Sequence, residues 1–358
     1  MKRRMIALLI TAALLIPALA GCGKTNEPVK EPNGREYVDS CGRTVIVPEK
    51  IERIAVSGTL AQVYVYPLCA ELMVGFCSPF TEEARKYIPE EYFDLPELGQ
   101  LYDLNKVLDL EALLAADPQV VIDLGESKDN MAQELDQLSE QTGVPFIHID
   151  ATVATAGQAY RDLGRLVGME EKAEKLAVWC EAMYADVLGI MEKVDADNAR
   201  RRLIYCLGSK GLNVLSEGSF HSDTMDLVSD NAAKVEKLVP NSNGNEVDME
   251  QMILWNPEVI VFAYDSVYED IAGDSTWQQL EAMKNGEYYE APYGPYGWLA
   301  SPPAVQRYLG MIWLVDLLYH ESVDYDLQEK VTEFYELFYG YELSDADYAE
   351  LTANALRG

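Results

Sequence analysis

Two glutamates occupy equivalent positions in a segment that the chain contains twice. The first copy is DLEALLAADPQVVI at 109–122 and the second is DMEQMILWNPEVIV at 248–261, so Glu111 and Glu250 are offset by 139 residues. A carboxylate near the start of a helix complements the positive end of the helix dipole. Because Asp, Ser or Thr would serve a helix start equally well, the recurrence of glutamate favours a further role for the pair.

Two lysines and a histidine follow predicted strands, where they can meet a ligand. Lys128 and Lys210 follow strands in different halves of the chain, so both can face one cleft and hold an anion. A lysine in such a loop is usually only solvated, and that alternative stays open. His221 can ligate iron or cobalt, or donate a hydrogen bond to an oxyanion. His148, inside a strand, and His320, after a helix, are interpreted as structural.

Further ligand candidates come from the loops beyond the carboxyl ends of the predicted strands, where open α/β sheets bind ligands. These loops span 57–59, 100–102, 125–128, 209–213, 219–222, 264–265 and 293–298. Their aromatic side chains can stack on a flat or apolar ligand, or can pack between lobes. Besides the two lysines and His221, the candidates are Gln100, Tyr102, Glu126, Tyr264, Tyr296 and Trp298.

Motifs of catalysis and of bare metal binding are absent from the sequence. It contains no GxSxG, HExxH, P-loop or strand-borne GxGxxG, and no dense cluster of His, Cys and carboxylate residues. We therefore expect no enzymatic activity and no cofactor, although a bound cargo can contain Fe, Co, Mo or W. Buried free thiols are expected for most of Cys41, Cys69, Cys77, Cys180 and Cys206, with a Cys69–Cys77 disulfide left open.

The elements that position these residues are predicted to form an α/β fold of two lobes joined by a long spine helix. In each copy of the repeat, apolar residues at helical spacing are stopped by Asp-Pro or Asn-Pro and followed by an apolar run typical of a buried parallel strand. Further strands are predicted at 51–58, 73–76, 144–150, 201–208 and 287–292. Residues 156–194 predict the helical spine, with Gly168 as the one strong interruption.

The N-terminus carries the features of a bacterial lipoprotein signal. Lys2, Arg3 and Arg4 precede an apolar run and then Leu-Ala-Gly-Cys, which resembles a lipobox and predicts cleavage before Cys22 and a lipid on its thiol. An ordinary secretory peptide is the alternative. The polar stretch that follows, rich in Pro and Gly, predicts a flexible tether. We expect a monomer held at the cell membrane only by its lipid, outside the cytoplasm.

The charge balance limits the kinds of partner. The chain has 60 acidic and 28 basic residues, for a formal net charge of −32. So much negative charge argues against nucleic acid and against an anionic lipid surface as partners. It suits docking onto a basic protein surface.

The layout of the chain resembles the class III substrate-binding proteins of ABC importers. The resemblance covers nearly the whole mature chain and rests on the lipobox, RIAVSG, the two repeat segments and GWLASPPAVQRYLGMIWLVDLLY. It implies two α/β lobes around a cleft and an ABC permease with its ATPase as partners. It also implies that Glu111 and Glu250 dock on arginines of the permease. The implied cargo is a metal chelate such as a ferric siderophore, haem or a corrinoid.

The resemblance also divides the chain into segments. We expect a signal peptide at 1–21, a tether at 22–35, an N-terminal lobe at 36–155, a helical spine at 156–198 and a C-terminal lobe at 199–358. Two other functions stay open at this point. One is a molybdate or tungstate receptor of the same family, and the other is a surface sensor or adhesion module without a transport role.

Overall fold

The described part of the chain opens with an antiparallel hairpin. The structure is a computed structural model that describes residues 34–102, 106–239, 243–300 and 302–357. Strand β1 (Arg35–Val38) pairs with β2 (Thr44–Val47), with Arg35 opposite Val47. The predicted signal peptide, Cys22 and nearly all of the predicted tether lie outside the described residues.

A parallel three-stranded sheet follows the hairpin. Its strands β3 (Ile54–Val56), β4 (Val120–Gly125) and β5 (Phe146–Asp150) lie side by side in chain order. Both faces of β4 are buried, as its continuous apolar run predicts. The strand predicted at 73–76 is reduced to two isolated bridges. Met73 pairs with Ile54, and Phe76 pairs with Glu97.

The second sheet is mixed and is built around β6. Its strands are β6 (Arg202–Leu207), β7 (Asn213–Val214), β8 (Asp230–Asn231), β9 (Asn245–Glu246), β10 (Val259–Phe262) and β11 (Tyr288–Glu290). The order is β11-β10-β6-β7-β9, with β8 pairing with β6, and β6, β10 and β11 run parallel. The strands predicted at 201–208 and 287–292 are therefore present.

Helices cover and connect the two sheets. They are α1 (Thr59–Cys69), α2 (Leu110–Ala115), α3 (Met131–Thr142), α4 (Ala156–Val167), α5 (Glu170–Ala196), α6 (Asp223–Val228), α7 (Met249–Trp255), α8 (Tyr268–Ile271), α9 (Glu281–Lys284), α10 (Arg307–Tyr319), α11 (Leu327–Phe334) and α12 (Asp345–Leu351). Short 3₁₀ turns join several of them, and a π-helical turn at Tyr335–Tyr339 follows α11. The described residues include no helix that is both long and apolar enough to cross a membrane.

The two copies of the repeat fold in the same way. Asp109 caps α2 by accepting from the backbone N–H of Glu111 at 2.9 Å, and Asp248 caps α7 by accepting from that of Gln251 at 2.8 Å. Each helix ends just before a residue with left-handed backbone, Asp117 (φ 51°) or Asn256 (φ 42°). The proline that follows disfavours the right-handed helical region for these residues, so the chain leaves the helix and enters β4 or β10.

The connecting region consists of two helices. Gly168, with φ 75°, ends α4 and reverses the chain, and α5 then runs for 27 residues. The two helices lie against each other and are bridged by Arg161, whose guanidinium contacts Glu174 at 2.7 Å. The predicted interruption at Gly168 is therefore a sharp turn, and α5 alone forms the long helix between the two sheets.

Candidate functional site

A cation lies on an aromatic ring at the carboxyl edge of the first sheet. Lys128 follows β4, and its Nζ lies 3.3 Å from the centroid of the Tyr102 ring. At this distance the ammonium is attracted by the negative face of the ring. Partial burial lowers the pKa of Lys128 and raises the pKa of Tyr102. The structure therefore brings these two candidates together at the edge where a ligand would bind.

A buried polar network supports the loop that carries Lys128. Asp123 accepts a hydrogen bond from the Ser57 hydroxyl, and its second oxygen lies 2.7 Å from Nδ1 of His148. Nε2 of His148 lies 3.1 Å from Oγ of Ser127. Asp123 and His148 are buried, whereas Ser127 is exposed. The network thus ties the loop at 125–128 to two strands of the sheet.

The Ser127–His148–Asp123 chain has the spacing of a hydrolytic triad but lacks the surroundings of one. A triad needs donors that stabilise the developing oxyanion. Here the hydroxyl and the backbone N–H of Ser127 both point at Oδ1 of Asp150, at 3.2 and 3.3 Å. A carboxylate in this position opposes negative charge beside the serine. The arrangement holds a loop in place and is unsuited to acyl transfer.

Gln100 fastens a neighbouring loop to the start of α1. Its Oε1 accepts hydrogen bonds from the hydroxyl of Thr59 at 2.8 Å and from its backbone N–H at 3.3 Å. These bonds hold the 100–102 loop against the start of α1. Gln100 thus contributes to the shape of the edge on which Tyr102 lies.

Arg307 dominates the other side of the site, and sequence reasoning missed it. The side chain is almost fully buried, lies 4.4 Å from the ring centroid of Phe220 and donates to the carbonyl of Phe220 at 2.6 Å. Its ion-pair partner is Asp223, at 3.3 Å. The available signal was a lone arginine at the start of the apolar helix α10, since an arginine is seldom buried unless it is paired.

Glu126 faces this cluster from the first sheet. Burial is the main cause that raises the pKa of Asp223, and the charge of Glu126 raises it further. Burial lowers the pKa of Arg307, while the charges of Asp223 and Glu126 act in the opposite sense. Glu126 follows β4, whereas Arg307 begins α10 and Asp223 begins α6. Residues from both halves of the chain therefore share one electrostatic cluster.

Several buried polar atoms of this cluster have no hydrogen-bond partner among the described residues. They are Nδ1 of His221, Nε of Arg307 and Oε1 of Gln306. Burial lowers the pKa of His221, and the charge of Arg307 lowers it further. Buried polar groups are normally hydrogen-bonded, so this concentration of unsatisfied donors and acceptors is typical of a surface that binds a polar ligand.

The aromatic candidates differ in their surroundings. Tyr264 is half exposed and stacks on Tyr293, with ring centroids 4.5 Å apart, at the edge of a cavity of about 440 Å³. The hydroxyl of Tyr296 accepts from Nε2 of Gln62 at 3.2 Å, so this ring packs between elements of the two halves. Trp298 is fully buried and offers no accessible face in this conformation.

The remaining candidates lie at the surface. Lys210 is exposed and forms no hydrogen bond or ion pair with any described residue. Glu111 and Glu250 are also exposed, and among the described residues neither has an ion-pair partner. The five described cysteines are free thiols, all buried except the half-buried Cys41. No group of three or more metal-ligating His, Cys, Asp or Glu side chains occurs in the described ranges.

Comparisons with known proteins give a consistent result. A family model described as periplasmic binding protein matches residues 81–293. An ABC transporter solute binding protein from Sulfurospirillum deleyianum has a similar structure, with TM-score 0.82 and 27% sequence identity over 89% of this chain and 99% of that one. A comparison with curated proteins found no match.

Two further solved structures share the fold. A periplasmic solute binding protein from Veillonella parvula has TM-score 0.74 and 22% identity over 90% of this chain and 98% of that one. The periplasmic protein MolA from Haemophilus influenzae, bound to molybdate, has TM-score 0.67 and 19% identity over 87% of this chain and 99% of that one. At these identities the likeness concerns the fold alone.

Proposed function

The chain belongs to the periplasmic binding protein family, and on that premise we propose that it captures an anionic metal chelate for an ABC importer. The family role is that of a solute-binding component outside the cytoplasm, which delivers small ligands to a permease and its ATPase. The chain is a class III substrate-binding protein and not an enzyme. To this family role we add a cargo class, a binding site, docking residues and a lipid anchor.

The observation that carries the cargo proposal is the cluster around Arg307. It combines a buried guanidinium with an unsatisfied Nε and the unsatisfied Nδ1 of His221. The carboxylates of Asp223 and Glu126 offset part of the positive charge of Arg307, so the anion would be held mainly by hydrogen bonds. A guanidinium recognises carboxylate and other anionic oxygens with planar geometry. The unsatisfied atoms of Arg307 and His221 are buried in this conformation, so an anionic chelate would reach them when the two lobes separate slightly and would hold the lobes together once bound.

Other cations and aromatic rings extend this site. Lys128, held on Tyr102, and Lys210 add positive charge from the two sides of the proposed cleft. Tyr264, stacked on Tyr293, lines a cavity that also includes Glu82, Glu83 and Glu290 and none of the residues of the Arg307 cluster. We propose it only as an outer aromatic contact for a flat chelate. Haem and anionic ferric siderophores fit this combination, whereas a corrinoid, which carries no net negative charge, would depend on the aromatic contacts.

An oxyanion such as molybdate or tungstate is the second candidate cargo. The cations and the unsatisfied polar atoms favour it, since they need only a small tetrahedral anion as partner. MolA, which has the same fold, was solved with molybdate bound. The aromatic surface around Tyr264 has no role for such a ligand, and for this reason the chelate ranks first.

Thermal stability against a ligand panel tests the cargo. The panel consists of ferric siderophores, haem, cobalamin, molybdate and tungstate. A true ligand at 100 times its Kd adds about 2.7 kcal/mol of stability, so one member or one class should raise the melting temperature. No response to any chelate or oxyanion would reject both cargo proposals.

Two arginine variants test whether the thermal stabilisation by ligand depends on Arg307. Arg307→Lys keeps the charge but loses the planar donors, so the response to the ligand should fall. Arg161→Gln is the control, because Arg161 is a surface arginine that bridges α4 and α5. An unchanged response in a folded Arg307→Lys protein would contradict the role of the guanidinium.

Permease docking is assigned to Glu111 and Glu250. Both are exposed near the starts of equivalent helices, and neither has an ion-pair partner within the described ranges. The double variant Glu111→Lys, Glu250→Lys should abolish uptake while ligand binding in solution stays intact. Equal loss of ligand binding would assign these glutamates to the fold.

Anchoring is assigned to a lipid on Cys22, and the lobe and spine boundaries are proposed at 36–155, 156–198 and 199–358. The Leu-Ala-Gly-Cys sequence supports the anchor. Cys22→Ala should release the protein from the membrane fraction and abolish its labelling by a fatty-acid probe. Retention of the label in the variant would reject this site.

A further inference from the structure

The two docking helices, α2 and α7, bury and expose their residues in the same order. From Leu110 to Ala115 and from Met249 to Leu254, the first and third residues are half-buried, the second and the last two are exposed, and the fourth is buried. The match holds although most of the side chains differ. The two lobes therefore present two surfaces of equivalent geometry.

Each of these surfaces places apolar side chains beside its glutamate. Leu114 is 48% exposed and lies three residues after Glu111, and Ile253 is 40% exposed and lies three residues after Glu250. Residues three apart share one face of a helix. Leu254, at 77%, is the most exposed of the large apolar side chains in the described residues. A single exposed apolar residue is ordinary, but here exposure recurs at repeat-equivalent positions.

We propose that Leu114, Ile253 and Leu254 are apolar docking contacts that enter two equivalent pockets of the permease, beside the basic groups that receive the glutamates. This inference rests on the proposed function. The occupant follows from charge and geometry. Exposed, unpaired glutamates on a chain of net charge −32 are complementary to a basic partner, and two equivalent patches fit a partner with two equivalent subunits.

The two kinds of side chain have different roles in this contact. Rim charges mainly accelerate association and make it salt-dependent, whereas truncation of buried apolar contacts mainly accelerates dissociation. The glutamates therefore steer the protein to the permease, and the apolar residues hold it there. The two roles can be separated by kinetics.

The experiment measures binding of the full chain to the permease–ATPase complex of the same cell in nanodiscs. Leu114→Asn and Ile253→Asn are compared with Val178→Asn and Leu188→Asn, whose side chains on α5 are 51% and 41% exposed. Each docking variant should dissociate about tenfold faster, the size expected for an interface anchor. The α5 variants should match the unmodified protein, and Glu250→Gln should mainly slow association.

The possible results distinguish failure of the apolar docking contacts from failure of the proposed function. Dissociation of the docking variants at the unmodified rate, with association slowed in Glu250→Gln, would overturn the apolar contacts and leave the proposed function standing. Absence of any binding by the unmodified chain would overturn both. Melting temperatures check that the variants fold, and Leu254→Asn provides a second variant on α7.

Discussion

At the scale of single residues, burial separates two His–Asp pairs of similar geometry. Nδ1 of buried His148 lies 2.7 Å from buried Asp123, and Nδ1 of exposed His320 lies 2.8 Å from half-buried Asp316. Water replaces a lost partner at the surface but not in the core. The same contact therefore has very different consequences at the two places.

We predict that His148→Ala lowers the free energy of unfolding by about 3 kcal/mol, because Asp123 loses its main partner in the interior. His320→Ala, the control, should change it by less than about 0.5 kcal/mol. Urea denaturation of both variants measures the difference. Equal effects would contradict the idea that burial makes the His148–Asp123 contact the more stabilising of the two.

A second residue-scale prediction concerns His221 and pH. Burial and Arg307 lower its pKa below the ordinary value of about 6.5, with the Ala300 backbone acting in the opposite sense. Below about pH 6.5 the unfolded chain binds more protons at this histidine than the folded chain does. The free energy of unfolding is therefore lower there than above about pH 6.5, and it falls as the pH approaches the lowered pKa of the folded state.

His221→Gln should therefore reduce the slope of unfolding free energy against pH below about pH 6.5, and His320→Gln serves as the control. Urea denaturation across this range provides the measurement. An unchanged slope in the His221 variant would contradict the burial of the ring.

At the scale of elements, local signals predicted most boundaries. The Asp caps and the Asp-Pro and Asn-Pro stops of α2 and α7 are confirmed, since these signals act within a few residues of chain. The break at Gly168 was equally local. The sequence predicted a strand at 73–76, but the structure has only isolated bridges there. Whether an apolar run forms a full strand depends on the position of its partner strands, which no local signal gives.

Alanine substitution of two glycines in the connecting helices should have opposite effects on stability. Gly168 ends α4 with φ 75°, and Gly189 lies within α5, and an added Cβ would meet no atom within 4 Å at either position. Gly168→Ala should destabilise the protein by about 1 kcal/mol through backbone strain, whereas Gly189→Ala should stabilise it by up to about 1 kcal/mol. Thermal unfolding compares them. The same sign for both would contradict the turn.

At the scale of the whole molecule, one apolar core links the two halves. It runs from Ile54 in the first sheet through α5 and α10 to Val261 in the second. Helix α10 is buried on nearly all sides. Because packed interiors deform little, we infer that the lobes move only modestly about α5 on ligand binding.

The net charge of −32 should make the melting temperature of the whole molecule depend on ionic strength. Self-repulsion destabilises a compact state and is screened by salt. Raising ionic strength from about 10 to 150 mM should therefore increase the melting temperature by roughly 2 °C. Sodium chloride and choline chloride should act alike, because screening depends on ionic strength. A fall in melting temperature would contradict this account.

The sequence alone determined the two α/β lobes and the exposed glutamates of the repeat, and its resemblance to class III binding proteins indicated the family. Apolar periodicity, Asp caps and Pro stops are local, so they can be interpreted without knowing the fold. Only the tertiary structure decided which polar groups meet. Arg307 pairs with Asp223 from 84 residues away, Glu126 faces both, and Trp298, a predicted ligand contact, is buried in the core. These contacts depend on how lobes and helices pack, and no local pattern encodes that packing.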